Sequence, residues 1–163
     1  MNVRRLLTSA VLLLAVPLSS CASVSFDAQT DQVYNPAVGV DNRSGSVDVL
    51  NALVVSGSEG SGTVVATLVA NDQGRGDTLR GVAGAGSDSS LQVTPGGKTT
   101  IPSGGLLNLA TDGRIAVRGE KVAPGNFVRL TFSFERGEAV TVLAPVVSAD
   151  NPDYSSVPLP SAT

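Results

Sequence analysis

The chain of 163 residues contains no His and no Trp. Met1 is its only Met and Cys21 its only Cys. Without His there is no Ser-His-Asp triad, no Cys-His dyad, no imidazole metal site and no imidazole proton shuttle. One Cys gives neither a disulfide framework nor a cysteine zinc site. Charged residues make up 15%, against about 25% in an ordinary soluble domain. No basic run occurs, so the electrostatic footprint of a nucleic-acid binder is missing. Aromatics are 4%, while 42% of residues are apolar and Gly and Pro number 18 and 9. The core must therefore be aliphatic, and recurrent Gly, Pro, Ser, Thr and Val disfavour long helices. The length fits one domain.

The first twenty residues read as an export signal. Arg4 and Arg5 precede an apolar run over residues 6–16, too short for the ~20 residues that cross a bilayer. Leu18-Ser19-Ser20-Cys21 resembles a bacterial lipobox, which implies a diacylglyceryl (palmitate-type) anchor on Cys21 and cleavage before it. Two acyl chains make a stable anchor where one is marginal. The expected location is the outer, extracytoplasmic face of the cell membrane. Loss of Arg4 and Arg5 would leave nine basic against fourteen acidic side chains, a net charge of −5.

Residues 1–20 are thus the expected signal peptide, 21–36 a lipidated N-terminus and polar tether broken by Asn35-Pro36, and 37–147 the folded domain. Residues 148–163, with Pro152, Pro158 and Pro160, read as a disordered tail. Inside the domain, residues 47–55 predict a strand, 56–62 a Gly/Ser turn, and 63–70 a strand covered on both faces. Shorter strands are expected at 79–82 and 91–94. The clearest pattern is a hairpin. Val128, Leu130, Phe132 and Phe134 alternate with Arg129, Thr131, Ser133 and Glu135, Arg136-Gly137 turns, and Val140 and Val142 resume. Short strands between Gly/Pro turns predict an all-β sandwich.

The order of blocks from about Gly62 to Val147 resembles the periplasmic copper chaperones called PCu(A)C. Residues 62–71 look like the family's strand that ends in a Thr-Asn turn. Asp77-Thr78-Leu79 is similar to its next strand, and Ile101-Pro102-Ser103-Gly104-Gly105 to its Ile-Pro-Ala-Gly-Gly turn. Val122-Ala123-Pro124-Gly125-Asn126 through Phe134 is similar to its closing hairpin. The resemblance implies a cupredoxin-like or immunoglobulin-like β-sandwich. Tyr34-Asn35-Pro36-Ala37-Val38-Gly39-Val40 further resembles a group of actinobacterial lipoproteins, in keeping with nine Arg to two Lys.

The family holds Cu(I) with Met and His from two places. Here the first falls at Gly84-Ala85-Gly86-Ser87-Asp88-Ser89-Ser90 and the second at about Arg114-Ile115-Ala116. Neither offers the thioether, thiolate or imidazole that Cu(I) prefers. No metal site and no cofactor is therefore expected.

Other motifs point to bland roles. Arg75-Gly76-Asp77 reads as a charged turn, and Asn42-Arg43-Ser44 as an exposed turn rather than a glycosylation site. Asp72, Asp77 and Asp88 lack calcium-loop spacing and read as solvated. Glu135 and Glu138 flank a turn tip rather than a catalytic cleft. Neither Lys98 nor Lys121 stands in an S-x-x-K motif. Asn42, Arg43 and Asn51 form a candidate polar binding surface. The expectation is a non-catalytic envelope lipoprotein: a binding or scaffold module held to the membrane by Cys21, with an envelope protein or ligand as partner and no nucleic acid. The alternative is a metal-trafficking lipoprotein with an unusual ligand set.

Overall fold

Alternation of aliphatic with Thr, Ser or Gly positions gives this chain strands with one face for a core and one for something else. The structure, a computed structural model, describes residues 38–160 except 59 and 73. The signal segment, Cys21 and the tether lie outside the described residues. Internal contacts make Pro36–Thr163 a unit of its own.

Ten strands build it: β1 (Val40–Asn42), β2 (Val47–Ser58), β3 (Ser61–Ala70), β4 (Asp77–Gly84), β5 (Gln92–Thr94), β6 (Thr100–Ile101), β7 (Leu106–Asn108), β8 (Ile115–Arg118), β9 (Phe127–Phe134) and β10 (Val140–Ser148). They form one hydrogen-bonded sheet in the order β5-β8-β3-β2-β10-β9-β4-β6, with β1 beside β2 and β7 beside β3. Most pairs are antiparallel. β10 joins the two halves: Val140 to Pro145 pair antiparallel with β9, and Val146 to Ser148 pair parallel with Val54 to Ser56. The sheet curls around one aliphatic core and is all-β and cupredoxin-like.

The predicted hairpin is present. Val128, Leu130, Phe132 and Phe134 are buried, as are Val140 and Val142, while Arg129 and Glu135 are exposed. β2 is longer than its pattern suggested. Ser56 was expected in a turn but is buried in the strand, its hydroxyl donating to the carbonyls of Ser58 (2.8 Å) and Ser61 (2.9 Å). The β2 ladder is also interrupted. Between Leu50 and Leu53 the register with β3 slips, and Asn51 takes the left-handed conformation with φ of 49°. Asn tolerates that region better than most residues. The extra residue reverses the parity of the strand. Val47 and Val49 face the core before it, and Ala52 and Val54 after it.

The reversal turns Leu53 and Val55 to the other side of the sheet. Both are fully buried, yet neither belongs to the main core cluster. Here the expectation of a disordered tail at 148–163 is corrected for residues 148–160. β10 runs to Ser148 and Pro152–Tyr154 makes a 3₁₀ turn. The Thr63 hydroxyl donates to the Pro158 carbonyl at 2.6 Å, and the Ala149 amide donates to the Ser56 carbonyl at 2.9 Å. Leu159 lies over Gly57, where a Cβ would collide with a Leu159 methyl. The tail is thus a strap across the outer face of β2 and β3. Its composition suggested disorder, but one hydroxyl and one glycine gap give it a seat.

Candidate functional site

The polar candidates Asn42, Arg43 and Asn51 come together where β1 meets β2, and each holds local backbone. Asn51 Oδ1 accepts from the Gly39 amide (3.0 Å), and the Asn51 amide donates to Asp41 Oδ1 (2.7 Å). Asn42 Oδ1 accepts from the amide (3.0 Å) and hydroxyl (2.7 Å) of Ser44. The Arg43 guanidinium reaches Asp41 (3.2 Å) and Asp48 (3.8 Å). Asn71 Nδ2 completes the group, donating to Asp48 Oδ1 at 2.7 Å. These contacts set a turn and a bulge, and of the three candidates Arg43 alone is exposed while Asn42 and Asn51 are half-buried.

Asp77 and Asp88 were read as solvated, but both are buried. Asp77 opens β4 and clamps the β9–β10 turn. Its carboxylate accepts from the amides of Thr78 (2.6 Å), Arg136 (3.2 Å) and Gly137 (2.9 Å). Burial pushes its pKa up, but those amides and the Arg136 charge together hold it below the ordinary value. Arg136 also donates to the Gly76 carbonyl. An open cleft of about 200 Å³ lies here, between Arg75, Arg136, Asp72 and a floor of Val47 and Ala70.

Asp88 ends a 3₁₀ turn at Gly86–Asp88. Its carboxylate takes Lys121 Nζ at 2.5 Å and the Arg129 amide at 2.8 Å. The bond from Lys121, followed by that from Arg129, lowers its pKa against the cost of burial. Ser87 Oγ stands 3.3 Å from the same ammonium, which brings a Ser and a Lys together beside a cleft of about 340 Å³. A Ser-Lys nucleophile needs a neutral lysine as its base. Here Lys121 Nζ is engaged by the Asp88 carboxylate at 2.5 Å, closer than Ser87 Oγ at 3.3 Å. Residues 33 apart in sequence make the bond, and no local spacing announces it.

The positions where the resemblance places a His-x-Met pair lie on β8 and just before it. Arg114 has φ of 45° at the end of the wide helical turn Leu109–Gly113. Ala116 pairs with Thr63 of β3 on one side and Thr94 of β5 on the other. Ile115 and Val117 point into the core, so Arg114 and Ala116 take the outer face. That face is the one the strap crosses. Thr63, Arg114, Ala116, Pro158, Leu159 and Pro160 line an open cleft of about 200 Å³. Its side chains are a hydroxyl, a guanidinium and hydrocarbon. Among the described residues no group of three His, Cys, Asp or Glu converges anywhere. This donor set does not fit Cu(I), which needs soft ligands.

The described cavities therefore offer an ion pair, capped turns and a strap, while the fold itself is well defined. The chain shares the fold of PCuAC domains. Matches include a copper-bound PCuAC domain from PmoF2 (18% identity, TM-score 0.54, covering 67% of this chain and 98% of that one). An apo PCuAC domain from PmoF1 gives 16% identity and a TM-score of 0.55 over 67% and 99%. The apo PmoF2 domain gives 20% and 0.51 over 68% and 97%. At these identities the likeness is one of fold. No protein-family model matches the chain, and no curated protein matches it.

A different feature stands out on the other half of the sheet. Phe127 and Leu143 are 56% and 47% exposed on the outer face of β9 and β10. Their strands carry the strongest alternation in the sequence, yet the solvent side of the pattern holds an aromatic and a leucine. Among the described residues no helix is long and apolar enough to cross a membrane.

Proposed function

We propose that this chain is a non-catalytic, extracytoplasmic lipoprotein anchored through Cys21, and that it uses a PCuAC-like fold as a binding or scaffold module with no working copper site. The observation that carries the reading is the state of the outer face at β8. Arg114 and Ala116 stand at the positions of the expected ligand pair, and they share an open cleft with Pro158 and Leu159 of the strap. A copper carrier has to present soft ligands to a donor and an acceptor, and this face offers a hydroxyl, a guanidinium and hydrocarbon instead. The satisfied Asp88–Lys121 pair supports the non-catalytic part. The lipobox at residues 18–21 and the short apolar run before it support the anchor.

Two measurements test this. The chain from residue 22 onward, titrated with Cu(I) under reducing conditions against a competing chelator, should retain no stoichiometric metal. Retention would favour the alternative, metal trafficking by an unusual ligand set. In cells, Cys21→Ala should release the protein from the membrane fraction. Lipid-free native protein on mass spectrometry would sink the anchoring claim.

A further inference from the structure

The outer face of β4, β9 and β10 carries apolar and basic side chains in a protein whose net charge is −3. Strand register puts Phe127 across from Pro145, Arg129 across from Leu143, and Thr131 across from Thr141. Ala83 on β4 lies across from Thr131. All of these share the face opposite the buried Val128, Leu130 and Phe132. Arg80, the extra residue where the β4 ladder slips, is also exposed. Neither Arg80 nor Arg129 makes an ion pair through its side chain among the described residues, and no Asp or Glu stands among the outward strand positions. Carboxylates return only at the hairpin tip, with Glu135 and Glu138. The solvent face of an antiparallel sheet is ordinarily polar, and the strap that covers the other outer face does not reach this one.

We propose that this face, centred on Phe127, Leu143 and Arg129, rests on an anionic lipid surface. Apolar side chains flanked by arginines suit the boundary between headgroups and acyl chains. The three clefts described above lie off this face. A protein partner anchors best in a pocket, whereas a bilayer needs only a shallow, cationic, apolar surface. Two large side chains are too few to hold a free domain on a membrane. The tether changes that balance. Sixteen residues separate Cys21 from Val38, and even fully extended such a stretch reaches no more than about 60 Å. An anchor at Cys21 would thus keep the domain near the surface, at an effective concentration in the roughly millimolar range. Val38 is exposed just before β1, and β1 lies against β10. The inference rests on the anchor of the proposed function for how the domain reaches the bilayer.

The test supplies that anchor chemically, so native acylation is not at issue. The chain from Cys21 onward keeps the whole Pro36–Thr163 unit. It is coupled through its single thiol to maleimide-bearing lipid, in vesicles of phosphatidylcholine alone or mixed with phosphatidylglycerol. Hydroxyl-radical labelling of Phe127 and Leu143 is compared with that of Leu106, which is 57% exposed on β7. On the anionic vesicles, labelling of Phe127 and Leu143 should fall several-fold while Leu106 is unchanged. Each arginine near the surface should favour the docked state by about five-fold, so Arg80→Gln with Arg129→Gln should remove most of the protection. High salt should weaken it. Unchanged labelling would overturn the proposal, as would equal protection on neutral and anionic vesicles. Protection already present in thiol-blocked protein free in solution would also overturn it, since a second copy would then cover the face.

Discussion

The two outer faces of this sheet carry similar hydrocarbon and meet opposite fates. On β2 and β3 the outward Leu53, Val55 and Thr63 are 0%, 0% and 3% exposed, with the strap seated across their face. On β9 and β10 the outward Phe127 and Leu143 remain about half exposed, and no part of the described chain covers them. An exposed leucine alone is ordinary. What distinguishes the two faces is that one has been closed by residues whose composition promised nothing. The strap contributes to stability, and the bare face is free to contribute to binding.

The sharpest break of that comparison is a pair of phenylalanines five residues apart. Phe132 is fully buried, so Phe132→Ala should cost about 3–5 kcal/mol in chemical denaturation. Phe127→Ala should change stability by less than about 0.5 kcal/mol. Comparable losses would mean that the outer face of β9 is packed after all. Next comes the strap. Deleting residues 151–163 should cost about 2 kcal/mol, because a Leu and a Val each lose part of the roughly 1.5–3 kcal/mol that full burial confers. The truncated protein should also bind an apolar dye more strongly than the full chain. Unchanged stability and dye binding would show that the tail merely lies near the face. A milder probe is Leu159→Asp, which should cost about 1 kcal/mol, since that side chain is already 41% exposed.

The β9–β10 hairpin was legible because its alternation is uninterrupted and its turn is short, so period two alone fixes which side is buried. The β2 bulge was not. Residues 47–55 read as one strand, and nothing in period or composition marks Asn51 as the residue with positive φ. Its side chain earns that conformation only by accepting from Gly39 twelve residues earlier. The strap was misread because Pro and Ser signal disorder unless a partner exists, and the partners Gly57 and Thr63 lie about a hundred residues upstream. For the site, the absence of soft donors was plain from composition. The buried roles of Asp77 and Asp88 depend on tertiary amides that no local pattern encodes.

The smallest expected effect is electrostatic and falls on the bare half alone. Asp88 backs that face through the Arg129 amide, and Asp77 clamps its hairpin tip, whereas the Thr63–Pro158 bond of the strap contains no ionisable group. Both carboxylates have folded-state pKa values below the ordinary 3.8. A depressed pKa means that the folded state binds protons less readily than the unfolded one. The stabilisation is then complete above the unfolded value and lost as pH falls through the folded value. Between neutral pH and about 4 stability should therefore stay flat with respect to these groups, and below that it should decline. Amide exchange at Arg129 and Gly137 should accelerate on that acid limb before exchange at Ala149, which donates to Ser56 beneath the strap. Asp88→Asn should shrink the decline and lower stability at neutral pH by about 1 kcal/mol, since Lys121 is half exposed and regains water. If Ala149 exchanged first, the strap rather than the carboxylates would be the acid-sensitive element, and the two faces would not be independent.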